Sequence, residues 1–188
     1  RQLVADAQLD AARASALVDL KTTRDRAHAL GWAREARLKP VPLGQGSNVV
    51  LAGDLDALVL RMGNLGIKVL EEDRDSVLLR VEAGEDWHGL VEWCLARDYF
   101  GLENLALIPG TAGAAPIQNI GAYGVELQSC LERVHATEIA TGNENALSPE
   151  YVREATSEIV RERQLDDIND EERDACGARG NLRHCRRK

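Results

Sequence analysis

Aromatic side chains are scarce in this sequence: they make up 4% of its 188 residues, with one phenylalanine, three tryptophans and three tyrosines. Any core must therefore be built from aliphatic side chains and alanine, and the 44% apolar content is enough to build one. No apolar run approaches the ~20 residues that a membrane helix needs, which argues against insertion in a bilayer. The opening Arg1-Gln2-Leu3-Val4-Ala5-Asp6 lacks the apolar segment of a secretory signal and lacks an initiator methionine. Positive charge is in deficit. With 23 Lys and Arg against 31 Asp and Glu, the net charge is −8, which excludes the positive footprint of a general nucleic-acid binder. Anionic small ligands are not excluded, because local amides and a few arginines can hold them against the overall field. Cys94, Cys130, Cys176 and Cys185 lie far apart and lack CxxC spacing. They read as reduced thiols of a cytosolic protein, and Cys176 and Cys185 with His184 are too irregularly spaced to suggest a metal site.

What the sequence does have is one long stretch of small residues, Ile108 to Gly124. It contains four glycines and four alanines, with Thr111, Gln118 and Asn119 as its hydrogen-bonding side chains. Such a run buries little apolar area per ordered residue. It suits close approach of the backbone to a flat ligand, since glycine reaches unusual dihedrals and has no Cβ to hold the ligand off. Exposed amides in such loops form concave sites for phosphate, so the run predicts a ligand site. A second polar turn, Gly44-Gln45-Gly46-Ser47-Asn48, stands between Val41-Pro42-Leu43 and Val49-Val50-Leu51, which read as strands. It can offer several N–H groups to a pyrophosphate, or it can be a plain hairpin turn. The downstream run favours the first reading.

The remaining chain reads as mixed helix and strand. Residues 1–22 alternate loosely, with a short strand at Ala16–Leu20. Thr22 or Thr23 caps a helix to about Ala36, with Asp25 in its first turn and a stripe at Ala27, Leu30 and Ala33 or Arg34. Strands are predicted at Ala57–Met62, Ile67–Leu70 and Val77–Val81. Asp86 opens a helix whose Trp87, Leu90, Val91, Cys94 and Leu95 share one apolar face. His88 and Glu92 fall on the opposite face as a solvated pair. Val125–Leu127 and Leu131–Ile139 read as strands. Ser148-Pro149-Glu150 starts a helix, serine as cap and proline in the first turn, running to about residue 165. Residues 166–172 are mainly acidic and residues 173–188 basic. With almost nothing to bury, the last stretch is expected to be disordered.

The string from Gly101-Leu102-Glu103-Asn104-Leu105 through Ile108-Pro109-Gly110-Thr111 to Leu127 closely resembles the flavin-binding signature of UDP-N-acetylmuramate dehydrogenases, also called UDP-N-acetylenolpyruvoylglucosamine reductases. Leu43 to Leu51 resembles the G-x-G-S-N turn with which that family holds the FAD pyrophosphate. The resemblance covers about Ala14 to Gly142. It implies an α+β fold: an FAD-binding domain of the p-cresol methylhydroxylase type, two α/β subdomains sandwiching the flavin. These correspond to residues 1–54 and 55–142, followed by a divergent tail at 143–188. It implies FAD contacts from Gly44, Gln45, Gly46, Ser47, Asn48 and Val49, and from Pro109, Gly110, Thr111, Gly113, Ala114, Ala115, Gln118, Asn119, Gly121, Ala122 and Tyr123. Tyr123 stands either at the edge of flavin or substrate, or in the core as a packing residue.

The family passes hydride from NADPH through FAD to the enolpyruvyl group of a UDP-sugar in cytoplasmic peptidoglycan synthesis. Its F-G-Y-R-D-S segment, its G-N-A-G-S-F-F-K-N segment and its late glutamate have no counterpart here, so no catalytic residue is carried over. The sequence thus reads as the FAD-binding portion, truncated or internally deleted. Two other readings stand beside the reductase: an inactive flavin- or nucleotide-binding module, and an FAD oxidoreductase of the same fold with another substrate.

Overall fold

The computed structural model describes residues 3–9, 12–152 and 175–185. The chain forms two compact units, Arg1–Asn64 and Leu65–Lys188.

The first unit holds a four-stranded sheet in the order β1-β2-β4-β3, from β1 (Leu3–Leu9), β2 (Ala12–Leu20), β3 (Lys39–Leu43) and β4 (Leu55–Met62). β1 and β2 are an antiparallel hairpin in which Leu9 faces Ala12. Both β2 and β3 run parallel to β4. β1 is missed by a reading that finds only loose alternation there. The expected boundary after residue 54 would remove β4 from this sheet, whereas β4 is its middle partner. β3 carries Pro40 and Pro42, which cannot donate to a ladder, and it sits at the sheet edge.

Helix α1 (Thr23–Ala36) starts at a capping box. Thr22 Oγ1 accepts from Asp25 N–H, and the Asp25 carboxylate accepts from Thr22 N–H. Arg37, in a left-handed conformation, ends the helix before Pro40 is reached. Its buried face is Arg26, Ala29, Leu30 and Ala33, so Ala27 points outward instead. Leu58, Val59 and Leu60 of β4 are almost wholly buried.

The second unit holds β5 (Ile67–Glu72), β6 (Val77–Val81), helix α2 (Trp87–Leu95), a helical turn α3 (Ala115–Gln118), the two-residue strands β7 (Gly121–Ala122) and β8 (Val125–Glu126), β9 (Leu131–Glu138), β10 (Glu144–Leu147) and β11 (Ala175–Cys185). Its main sheet runs β10-β9-β11-β6-β5 and is antiparallel throughout. β11 corrects the expectation of a disordered basic end. A strand needs only backbone partners on both sides, and β6 and β9 supply them, while Leu182 puts one apolar side chain into the core.

Asp86 caps α2, accepting from Gly89 N–H at 2.7 Å. Trp87, Leu90, Val91 and Cys94 face inward, as their spacing predicts, onto Val77, Leu79, Val81, Leu102, Leu105, Leu127 and Val134, whereas Leu95, expected on the same face at the helix end, is exposed. Trp87 also donates its indole N–H to Leu105 C=O at 2.8 Å, so the largest core side chain is polar-satisfied. The helix expected at 149–165 begins at Pro149, with Ser148 Oγ accepting from Tyr151 N–H. Its course beyond residue 152, and the acidic stretch after it, lie outside the described residues.

Candidate functional site: two glycine-bearing turns

Residues 44–54 connect two parallel neighbours, β3 and β4. The hairpin reading therefore fails: Gly44–Asn48 is the start of a crossover. The strand expected at Val49–Leu51 is absent, and Val50 is 95% exposed. Gly46 has φ +77°, which a side-chain-bearing residue avoids. Val49 N–H closes the turn onto Gly46 C=O at 3.3 Å. A Cβ added at Gly46 would meet nothing within 4 Å, so the bend opens outward. Ser47, Asn48 and Val49 are exposed on it. This open, side-chain-poor bend fits an approaching pyrophosphate.

The second run is built differently. Gly110, Thr111, Ala112 and Gly113 are buried. Thr111 forms an isolated antiparallel bridge with Asp86. Trp87 N–H donates to Gly110 C=O at 3.0 Å, Ala112 N–H to Glu85 C=O at 2.8 Å and Gly113 N–H to Ala83 C=O at 2.9 Å. The amides of Ala114 and Ala115 both donate to Thr111 C=O, Gln118 N–H to Ala114 C=O, and Asn119 N–H to Pro116 C=O. These donors are engaged within the chain. The expectation that this run grips a ligand mainly through its amides is corrected: most of them hold the run itself together. What it offers outward is side chains and backbone shape. Thr111 is 3% exposed, and its Oγ1 has no hydrogen-bond partner among the described residues. Gln118 is exposed, as are Pro109 and Gly121. Ala115 is buried, and Ala114, Asn119 and Ala122 are half-buried.

β7 and β8 form a hairpin whose two central residues, Tyr123 (φ 53°) and Gly124 (φ 78°), both have positive φ. That is the twisted turn favoured between short antiparallel strands, usually with asparagine or glycine first. Tyr123 occupies the strained place and is 90% exposed. The packing role open to it on sequence grounds is thereby excluded.

One residue that sequence reasoning set aside takes part in this neighbourhood. His88 does pair with Glu92 across α2, Nε2 to Oε1 at 3.7 Å. Its Nδ1 also accepts from Leu107 N–H at 3.3 Å. Helical spacing reports contacts along one helix and carries no signal for a loop folding back onto it. Among the described residues there is no cluster of three or more metal-ligating side chains. No described helix is long and apolar enough to cross a membrane.

Solved structures share this architecture. The UDP-N-acetylenolpyruvylglucosamine reductase of Thermus caldophilus superposes with a TM-score of 0.62 at 22% identity, over 92% of this chain and 56% of that one. Cholesterol oxidase from B. sterolicum gives 0.54 at 15% identity, over 89% and 34%. Two mixed α/β units with these turns define the α+β, p-cresol-methylhydroxylase-type fold of flavin-binding domains.

The chain belongs to the family of FAD binding domains, which matches residues 14–148. It is 50% identical over 114 residues to the UDP-N-acetylenolpyruvoylglucosamine reductase of Pseudomonas putida. It is 52% identical over 114 residues to that of Bdellovibrio bacteriovorus and 42% over 152 residues to that of Pseudomonas fluorescens. The matched part spans 34%, 34% and 45% of those relatives' lengths.

Proposed function

We propose that these residues are the FAD-holding part of a cytoplasmic, NADPH-dependent UDP-N-acetylenolpyruvoylglucosamine reductase of peptidoglycan precursor synthesis. The observation that carries this reading is identity of 42–55% over 92–152 residues to curated reductases of that name. A solved structure of the same architecture with a different name, cholesterol oxidase, stands at 15%.

In this reading Gly44 to Val49 receive the pyrophosphate on the open face of the Gly46 bend. Pro109 to Tyr123 form the second contact surface, shaped by internally bonded backbone, with Gln118, Asn119 and Tyr123 as its outward groups. Bound FAD would supply the redox chemistry, accepting hydride from NADPH and delivering it to the enolpyruvyl double bond of the UDP-sugar to give UDP-N-acetylmuramate. This chain's own residues hold and orient the cofactor. None is assigned a proton-transfer or hydride-positioning role, and no nucleic-acid partner is invoked.

A second reading for the isolated chain is a catalytically inactive FAD-binding fragment. One preparation separates the two. The purified chain is expected to carry a flavin absorbance spectrum and to oxidise no NADPH when enolpyruvyl-UDP-N-acetylglucosamine is added. Turnover at ordinary enzymatic rates, roughly 1–10³ s⁻¹, would place the complete activity within these residues. A colourless protein that takes up no added FAD would overturn the flavin reading altogether.

A further inference from the structure

The first turn of α2 holds the entry to the second run at three successive points. Trp87 Nε1–H donates to Leu105 C=O at 2.8 Å, His88 Nδ1 accepts from Leu107 N–H at 3.3 Å, and Trp87 N–H donates to Gly110 C=O at 3.0 Å. The segment so held is costly to maintain. Leu107 has φ 62°, in the left-handed region that branched and bulky residues avoid. Its side chain is also 77% exposed, giving up the burial a leucine ordinarily gains. Gly110, three residues on, has φ +129°. Strain of this sort persists only where surrounding bonds over-determine it. Two of the three bonds are invariant with pH. The third requires an unprotonated nitrogen, because an imidazolium has two N–H groups and no acceptor.

We propose that His88 is a positioning residue for the flavin site: as neutral imidazole it pins Leu107 and so presets the Ile108–Gly110 entry to the cofactor-binding run. FAD retention then weakens when the ring is protonated. The inference rests on the FAD reading above.

The groups around the ring are consistent with this assignment. Glu92 lies at 3.7 Å from Nε2 and faces the N–H that the neutral tautomer carries. The 3-10 turn Glu103–Leu105 packs on α2, and the Glu103 carboxylate accepts from Gly101 N–H. Glu85, just before the helix, accepts from Gly66 N–H. The His88 side chain is 37% exposed, so a proton reaches it without unfolding. Once protonated, the ring cannot accept from Leu107, the loop samples conformations that leave the left-handed region, and FAD must select the competent fraction.

The test titrates the purified chain with FAD, followed by flavin fluorescence, between about pH 8 and about pH 5.5, a window that spans histidine protonation. His88→Asn keeps an acceptor oxygen near the Nδ1 position and does not titrate. His88→Leu removes the acceptor. The wild type is expected to lose about tenfold in affinity across the window, roughly what one hydrogen bond is worth. His88→Asn should match the wild type at the alkaline end and show no slope. His88→Leu should be about tenfold weaker at the alkaline end, also without slope, with the far-ultraviolet circular dichroism of the parent. A His88→Asn variant that keeps the wild-type slope, or a His88→Leu variant that binds as tightly as the parent at pH 8, overturns the proposal. A wild type that takes no FAD at any pH overturns the flavin reading, and this inference with it.

Discussion

Gly46 and Gly53 make a controlled comparison. Both stand in the crossover between β3 and β4, and an added Cβ at either meets nothing within 4 Å. They differ in backbone: Gly46 has φ +77°, while Gly53 is not in the positive-φ region. Alanine at either site lowers the entropy of the unfolded chain similarly, a gain of about 0.4–1 kcal/mol where the native conformation permits it. That contribution cancels between the two variants. What remains is the left-handed penalty at Gly46, about 1–2 kcal/mol for a residue with a Cβ.

The penalty has two places to appear. If the bend keeps its shape without ligand, Gly46→Ala melts lower than Gly53→Ala and binds FAD equally well. If the bend relaxes, losing the Val49 N–H to Gly46 C=O bond, stability recovers and the strain is restored on binding. Affinity then falls about tenfold for each 1.4 kcal/mol. The sum of the stability difference and the binding difference is therefore fixed near 1–2 kcal/mol, whichever way it divides. Valine, branched at Cβ, should exceed it. Differential scanning fluorimetry and FAD titration on the same preparations supply both numbers. A Gly46→Ala variant equal to Gly53→Ala in both measurements would refute the assignment of a conformational role to this glycine. A Gly46→Val variant equal to the parent in both melting temperature and FAD affinity would show that this bend imposes no conformational requirement on fold or cofactor site.

Two further outcomes follow from the packing and the charges. Trp87→Phe should cost about 2–3 kcal/mol, since it leaves Leu105 C=O buried without its donor and a void beside Leu90 and Val91; chemical denaturation measures it, and a loss below about 0.5 kcal/mol would contradict the indole hydrogen bond. In the first unit, the Arg61 guanidinium donates two hydrogen bonds to Asp19, one of them at 2.8 Å, and holds its carboxyl below the ordinary carboxylate range while raising Arg61. A depressed folded-state value means stability present above the ordinary aspartate range and lost as pH falls through it. Arg61 is half-exposed, so the contribution is screened to about 0.5–1 kcal/mol. Asp19→Asn should remove that much at neutral pH and flatten the acid limb below about pH 4; an unchanged acid limb would show the pair to be inert.

How much of this was legible in the residues can be judged element by element. α1 and α2 were readable to within a residue or so, because caps at Thr22 and Asp86 and an apolar period are local signals. One member of the inward face of α1 was misread, since Ala29 is buried where Ala27 was expected, and alanines two residues apart give little amplitude to the pattern. β1 was missed because its pairing with β2, not its own alternation, makes it a strand. β11 was missed for the same reason in stronger form: its partners lie far away in sequence, and its composition resembles a solvated tail. At the site, both turns were visible as clusters of small residues, yet composition cannot say where amides point. In the first turn the space beside Gly46 is open. In the second the amides of Ala112 and Gly113 are turned inward, and only tertiary pairing with Glu85 and Ala83 reveals it. His88 was assigned to Glu92 correctly and to nothing else, because a loop returning from nineteen residues away leaves no periodic trace.

The placement of β11 has a consequence for how the polypeptide emerges from a ribosome. Strands β6 and β9 have no direct ladder with one another; each waits for the same late segment to fill the gap. Until residue 185 has been synthesised, the facing edges of β6 and β9 lack their shared partner and invite foreign pairing, whereas residues 1–64 already possess every partner of their own sheet. Nascent chains stalled before Ala175 should thus combine a protease-resistant portion at residues 1–64 with a following portion that recruits holdase chaperones, and emergence of β11 should dismiss them.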